Sequence, residues 1–208
     1  MTSFIHYYAK RKANEAKTGV QRKQAALWLE QEYKIVRIDD SKTHRLVKHQ
    51  LWGDQANDTD TVAFADWGAF HITTEESLNE MNAHLGDTAV SMERFRPNIV
   101  LKGAAPFVEE TWSTMEFDAG VTLRRMIACP RCIITTTDQK TGDRHPKQEP
   151  RASMLKLSKQ GMLSKTEGRA AGPNFGIYAG LGEQQAAAGS IAVGQAVAVA
   201  TAAARCAL

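Results

Sequence analysis

The sequence predicts a barrel-like or α+β domain. Short β-branched or aromatic stretches recur from Val62 onward, each ended by Gly, Pro, Asn or Asp. Clear helical periodicity is confined to two segments. A chain of 208 residues is long enough for one substantial core, or for one domain with appendages.

Residues 1–20 are basic and aperiodic, and Lys10, Arg11, Lys12 and Lys17 suit a solvated end better than a phosphate site. Gln21 to Glu32 is rich in helix formers, with Ala25, Trp28 and Leu29 on one stripe, and Tyr33 to Ile38 alternates as a strand. From Asp39 to Asp60 the composition is that of a loop, with at most one short strand at Arg45 to Leu51. Val62 to Ile72 is a strand interrupted around Asp66-Trp67-Gly68. Thr73-x-x-Glu76 then reads as a capping box, Leu78, Met81 and Leu85 share a helical face, and Gly86 stops the helix. Strands are expected at Val90 to Phe95 and Asn98 to Lys102, around Pro97. Met115 to Phe117 should pair with Val121 to Met126 across Asp118-Ala119-Gly120.

The β-branched run Ile133 to Thr137 reads as a further strand, followed by a turn at Asp138 to Gly142 and a proline-punctuated loop at Arg144 to Arg151. Ala152 to Gly161 is open between helix and irregular structure. Gly168 to Pro173 is flexible in composition, and Asn174 to Leu181 is a strand. The uncharged tail from Ala186 to Ala204 has the length of a membrane span, but Ile191, Val193, Val197 and Val199 alternate around Gly194-Gln195 and predict a terminal hairpin instead.

Charged residues make up 24% and the formal net charge is +3, which lacks the field of a dedicated nucleic-acid binder. Three cysteines do not make a secreted disulfide framework. The first residues are too short and polar for an export signal, so a reducing, cytoplasmic setting is expected, with neither membrane nor nucleic acid as partner.

The chemistry concentrates in Arg124-Arg125-Met126-Ile127-Ala128-Cys129-Pro130-Arg131-Cys132, where three arginines surround two closely spaced cysteines. Guanidinium groups favour thiolate, the form that attacks or binds a soft metal. Spacing leaves several readings open. A structural zinc site needs more ligands than the remaining Cys206 and the histidines His71, His84 and His145 supply at ligand-pair spacing. A thioredoxin-type pair belongs at a helix start, whereas β-branched residues follow here. A single thiolate ligand to a metal whose other ligands come from a cofactor stays open, as does burial of both cysteines as small apolar residues.

Arg96-Pro97-Asn98-Ile99-Val100, Glu109-Glu110-Thr111-Trp112, Ala128-Cys129-Pro130-Arg131-Cys132 with Thr135-Thr136, Glu149-Pro150 and Phe175-Gly176 occur in the order of motifs found in the MOSC (molybdenum cofactor sulfurase C-terminal) family. The chain resembles, within it, the mitochondrial amidoxime-reducing components and bacterial N-hydroxylated-base reductases. Several ordered motifs are far more specific than one. The resemblance implies a mostly antiparallel β-barrel with peripheral helices, divided into a shortened N-terminal segment at 1–60, the MOSC domain at 61–200 and a tail at 201–208. It implies a molybdenum cofactor of molybdopterin type with Cys132 as metal ligand and Cys129 structural, and a family-level association with pyridoxal phosphate binding. Arg131, Arg96 and Asn98 match cofactor-surrounding motifs, suited to a pterin phosphate by their cationic forks and amide donors. For Arg96 and Asn98 the competing reading is a strand-end hydrogen-bond pair with backbone. Asp66 matches an acidic position near the metal that could relay a proton, Thr135 and Thr136 could donate hydroxyls to the cofactor, and Phe175 and Gly176 shape the pocket wall.

The implied activity is reduction of N-hydroxylated substrates (hydroxylamines, amidoximes, N-hydroxylated bases), with electrons from a separate flavoprotein or cytochrome. The cysteines are too few for a fused iron–sulfur domain. Against the family pattern, the N-terminal strands and their cofactor-contacting lysine are expected to be missing here. A homodimer or a rearranged N-terminus, with reduced activity, is therefore expected. The alternative function is a non-catalytic MOSC remnant, or a cofactor- or sulfur-carrying module that binds partners.

Overall fold

The computed structural model describes residues 45–47, 56–62, 65, 67–118, 120–166, 171–182 and 189–201, which fall in a compact unit spanning residues 43–208. The expected helix at 21–32, the strand at 33–38, the N-terminal basic residues, Asp66 and Cys206 lie outside the described residues.

β1 (Arg45–Leu46) and β2 (Thr61–Val62) pair antiparallel as a small ribbon. The frame is a curled, mostly antiparallel sheet, which bears out the α+β, barrel-like expectation. Its strands are β3 (Phe70–Thr74), β4 (Ile99–Leu101), β5 (Trp112–Phe117), β6 (Val121–Pro130), β7 (Lys165–Thr166), β8 (Gly172–Leu181) and β9 (Val197–Thr201), in the order β4-β3-β8-β6-β5-β9 with β7 also on β8. Only β3 and β4 run parallel, as befits two strands joined through a helix. β5 and β6 form the expected hairpin, with Phe117 opposite Val121 and Gly120 at φ 75°, where a side chain would be strained.

α1 (Glu75–Leu85) follows β3 without a break, and α2 (Arg151–Lys159) resolves the open reading of 152–161 as helix. The residue capping α1 is Thr74, whose Oγ1 accepts from the Ser77 amide at 3.1 Å; Thr73 is still in the sheet, opposite Val100. The cap thus lies one residue beyond the one that Thr73-x-x-Glu76 predicts. Glu76 does not turn back on the cap but accepts from the Gly103 amide at 2.7 Å. Met81, Leu85, Met154, Leu157, Leu163, Phe95 and Phe175 form one core between helices and sheet. A second gathers Ile72, Trp112, Met115, Leu123 and Ile177.

Three expected elements differ. Val90 to Phe95 is not a strand: Met92–Arg94 is a 3-10 turn, and the Val90 backbone is bonded through both its N–H and C=O to the Asn82 amide at 2.9 Å rather than to a neighbouring strand. Ile133–Thr136 is a 3-10 turn because its threonine hydroxyls satisfy local carbonyls that a sheet would otherwise bond. The terminal hairpin is replaced by a turn at Gly194, φ 90°, and by β9 pairing with β5, a partner distant in sequence that periodicity cannot name. Among the described residues no helix is long and apolar enough to cross a membrane.

Candidate functional site

β6 delivers the cysteine motif along the middle of the sheet. Its register with β8 shifts between Arg125 and Ile127 and again between Ala128 and Pro130. Such irregularities re-aim side chains at a strand end. Beyond Pro130 the Arg131 amide still bonds to the Pro173 carbonyl at 2.8 Å. Gly172 permits that approach, since a Cβ there would lie 3.0 Å from the Arg131 oxygen.

The two cysteines are treated oppositely: Cys129 is buried and Cys132 exposed. Burial pushes the Cys129 thiol up from its ordinary value, with the neighbouring Arg131 charge pulling the other way. Cys132 opens the 3-10 turn, which is stapled from below. Thr135 Oγ1 donates to the Cys132 carbonyl at 3.0 Å and Thr136 Oγ1 to the Ile133 carbonyl at 2.7 Å. Both threonines are fully buried, so their hydroxyl protons serve the turn that presents Cys132.

Arg131 turns inward and is only 8% exposed. Its Nη1 donates to the Cys129 sulfur at 2.8 Å and its Nη2 to the Phe95 carbonyl at 2.7 Å, with the guanidinium 5.8 Å from the centre of the Phe95 ring. Nε has no partner, and among the described residues no carboxylate pairs with it. A buried cation with neutral neighbours is costly by several kcal/mol unless a guest anion compensates.

Phe95 carries the connection onward, stacking on Phe175 at 3.9 Å between ring centres. The Phe175 carbonyl lies 3.0 Å from His71 Nε2, so that nitrogen donates and Nδ1 is left as an acceptor without a partner. Burial first, and the Arg131 charge second, lower the His71 pKa to about 4, so the ring is neutral near pH 7. Asn98 mimics a strand neighbour of His71: its Oδ1 accepts from the His71 amide and its own amide donates to the His71 carbonyl, both at 2.8 Å. Arg96 and Asn98 are exposed, and Arg96 holds φ 53°, a left-handed conformation uncommon for a side-chain-bearing residue. Gly176, at φ 72°, brings β8 against β3; a Cβ would stand 2.4 Å from the Ile72 oxygen and 2.7 Å from His71 Nε2. Thr73, on the same side of β3 as His71, is fully buried and its Oγ1 has no partner.

A continuous set of contacts thus joins the Cys129–Cys132 motif, the Arg96–Asn98 loop and the Phe175–Gly176 pair. His71 is its centre, a residue whose place in the sequence bears only on zinc ligation. Alternation in Phe70-His71-Ile72-Thr73 was the available signal, since it sets His71 and Thr73 on one face. Asp66 lies outside the described residues.

The donor set suits a metal that arrives with other ligands already attached. Cys132 is an exposed soft donor, and among the described residues no group of three or more His, Cys, Asp or Glu converges to hold an ion alone. The unpartnered Arg131 Nε, Thr73 Oγ1 and His71 Nδ1 offer two donors and an acceptor to the polar groups of such a cofactor.

The other end of β3 holds a second buried polar cluster. Ser77 Oγ lies 2.8 and 2.9 Å from the two Glu109 oxygens and accepts from the Phe107 amide at 2.7 Å. Glu109 is fully buried, and burial, opposed by the Ser77 hydrogen bond, pushes its pKa up to about 7.

The sequence is similar to those of known proteins. The chain is 36% identical over 112 residues to mitochondrial amidoxime reducing component 2 of Rattus norvegicus, covering 54% of this chain and 32% of the relative. It is 34% identical over 148 residues to mitochondrial amidoxime-reducing component 1 of Homo sapiens, covering 71% and 42%. These matches span between about a third and two-fifths of the relatives' own length. The sequence model of the MOSC domain matches residues 59–198, which include every described residue of the site, and the chain belongs to the MOSC domain family.

Proposed function

We propose that this chain carries the cofactor site of a reductase for N-hydroxylated compounds, with Cys132 as the protein ligand of a molybdenum cofactor of molybdopterin type. The observation that carries the reading is the contrast within one motif: Cys129 is packed inside, while Cys132 stands exposed on a turn fastened by two buried threonines. A thiolate that only fills space needs no such presentation.

When bound, the cofactor would supply two-electron redox chemistry. Cys132 anchors the metal. Arg131, buried against Cys129, supplies a positive charge suited to the anionic groups of a pterin. Arg96 and the Asn98 side-chain amide nitrogen, both on exposed residues, are suited to a phosphate. Thr135 and Thr136 hold the turn, and Phe175 and Gly176 form the wall beside it. His71, neutral near pH 7, is a hydrogen-bonding post rather than a competing cation. Asp66 keeps the role of proton relay that the motif suggests. In the overall reaction the N–O bond is cleaved, two electrons and two protons are taken up, and the oxygen leaves as water. The electrons come from a separate flavoprotein or cytochrome, and a second copy of the chain could complete the site.

The test is expression in a host that makes molybdenum cofactor, with metal analysis and assay of hydroxylamine reduction by a chemical reductant. The wild-type chain should hold molybdenum and turn over, and Cys132→Ser should lose both while keeping its fold. A Cys132→Ser chain that retains molybdenum would sink the assignment.

A further inference from the structure

Two segments of the site are joined by one ion pair. The 3-10 turn Met92–Arg94 leads into Phe95 and Arg96, and the turn that opens at Cys132 closes at Thr137, one residue before Asp138. Arg94 Nη2 donates to Asp138 Oδ2 at 2.8 Å. Ion pairs near a surface ordinarily contribute little, because two side chains must be ordered in one geometry. This one is ordered by other contacts. Asp138 Oδ1 accepts from the Lys140 and Thr141 amides at 2.9 and 3.0 Å, which fixes the carboxylate, and the Arg94 side chain is only 16% exposed. Phe95 is fastened separately: its carbonyl accepts from Arg131 Nη2 at 2.7 Å and its ring stacks on Phe175. Asn98 is tied to His71. Between these fastenings stands Arg96, exposed and at φ 53°. A residue that bears a side chain keeps such a conformation only where its surroundings over-determine it.

Resting on the reading above of Arg96 as a phosphate-binding residue, we infer that Asp138 is a positioning residue: through Arg94 it holds the Arg96 backbone in its left-handed conformation, and so fixes the Arg96 guanidinium relative to the turn that carries Cys132. Arg94 and Arg96 carry the same charge two residues apart and serve different ends. Arg94 is taken up by the joint, and Arg96 is left exposed for a ligand. Because Asp138 belongs to the chain that leaves the Cys132 turn, the pair ties the anion end of the site to the thiol end. A planar guanidinium binds phosphate through a fork whose orientation matters, so a small rotation of its backbone is felt in affinity. Charge alone gives Asp138 the opposite effect. A carboxylate in the neighbourhood repels a phosphate, so its removal should strengthen binding if it acts by charge and weaken binding if it acts by position.

The probe is inorganic phosphate, titrated into the full chain prepared without cofactor and followed by phosphorus NMR. Asp138→Asn keeps an oxygen for the Lys140 and Thr141 amides but loses the charge that Arg94 meets. It should weaken phosphate binding by roughly threefold or more, as expected for residues coupled in one network. Arg94→Gln should weaken it likewise, and Arg94→Gln with Asp138→Asn no further than either alone. Arg96→Gln should weaken binding and, in that background, Asp138→Asn should have no effect. Binding by Asp138→Asn as tight as wild type, or tighter, overturns the inference while Arg96 keeps its phosphate role if Arg96→Gln alone weakens binding. A loss on Asp138→Asn that persists in the Arg96→Gln background overturns it too, since the carboxylate then acts elsewhere. Phosphate binding that is absent in the wild type, or untouched by Arg96→Gln, removes the phosphate role of Arg96 and the inference with it. Metal analysis of chains from a host that makes molybdenum cofactor separates the two readings: the expected phosphate pattern in a chain that holds no molybdenum upholds the positioning role and overturns the cofactor assignment.

Discussion

At the Thr74 end of β3, the Ser77 hydroxyl lies within hydrogen-bond distance of both Glu109 oxygens; at the His71 end, His71 Nδ1, Thr73 Oγ1 and Arg131 Nε are buried without partners. The two clusters flank one short strand. The first is closed: it fixes the start of α1 and the loop at Phe107, and offers nothing to a guest. The second binds backbone on every side yet keeps polar atoms in reserve. Both clusters are buried, and what distinguishes them is the hydrogen bonds left unmade in the second.

The strand contact between the clusters should be the least tolerant point. Gly176→Ala forces a Cβ within 2.4 Å of the Ile72 oxygen at a positive φ, and should cost about 3 kcal/mol or more in chemical denaturation, since backbone cannot give way as a side-chain tip can. A change below about 1 kcal/mol would mean that β8 and β3 are less closely joined than described.

The clusters should also respond to pH in opposite directions. Glu109 titrates near 7 when folded and near 4.5 when unfolded, so the folded protein keeps a proton that the unfolded chain loses, and its stability falls as pH rises through that window. The advantage of Glu109→Gln over wild type should accordingly grow from small at pH 4 to about 3 kcal/mol above pH 7. His71 titrates near 4 when folded and 6.5 when unfolded, so the unfolded chain takes up a proton first and stability falls as pH drops through the window. His71→Gln should gain on wild type by up to about 3 kcal/mol between pH 6.5 and 4. Denaturant midpoints at several pH values check both, and parallel curves for either variant would refute the burial assigned to that group.

A smaller effect is expected from Asn98→Ala. It removes one acceptor from the His71 amide and should cost about 1 kcal/mol by thermal melting. Faster hydrogen exchange at the His71 amide would locate the loss.

Much of the sheet was legible. The β5–β6 hairpin, the strands on either side of Trp67 and the helix ending at Gly86 follow from local alternation, turn residues and a helical stripe, all of which depend on near neighbours. Apart from the tail, whose strand pairs with the distant β5, the errors have one cause. Ile133 to Thr136 has the composition of a strand, but its hydroxyls bond carbonyls three residues back. Val90 has strand character, but its hydrogen bonds go to Asn82. Thr73 fits a capping pattern, but the cap is the next residue, which also joins the Glu109 cluster. In each case a side chain took the place of a backbone partner. The cysteine motif could be found from the sequence, yet nothing local told that Arg131 would reach Phe95, or that His71 would stand between Asn98 and Phe175.

The seam between β5 and β9 has a consequence for synthesis. Residues 112–117 leave the ribosome some eighty positions before residues 197–201, which later cover their outer side. Through that interval Trp112, Met115 and Phe117 sit on a strand with one row of amides and carbonyls bare, at the stage when a nascent chain is most exposed to its neighbours. Chaperone capture or self-association of truncated products should track whether β9 has yet emerged.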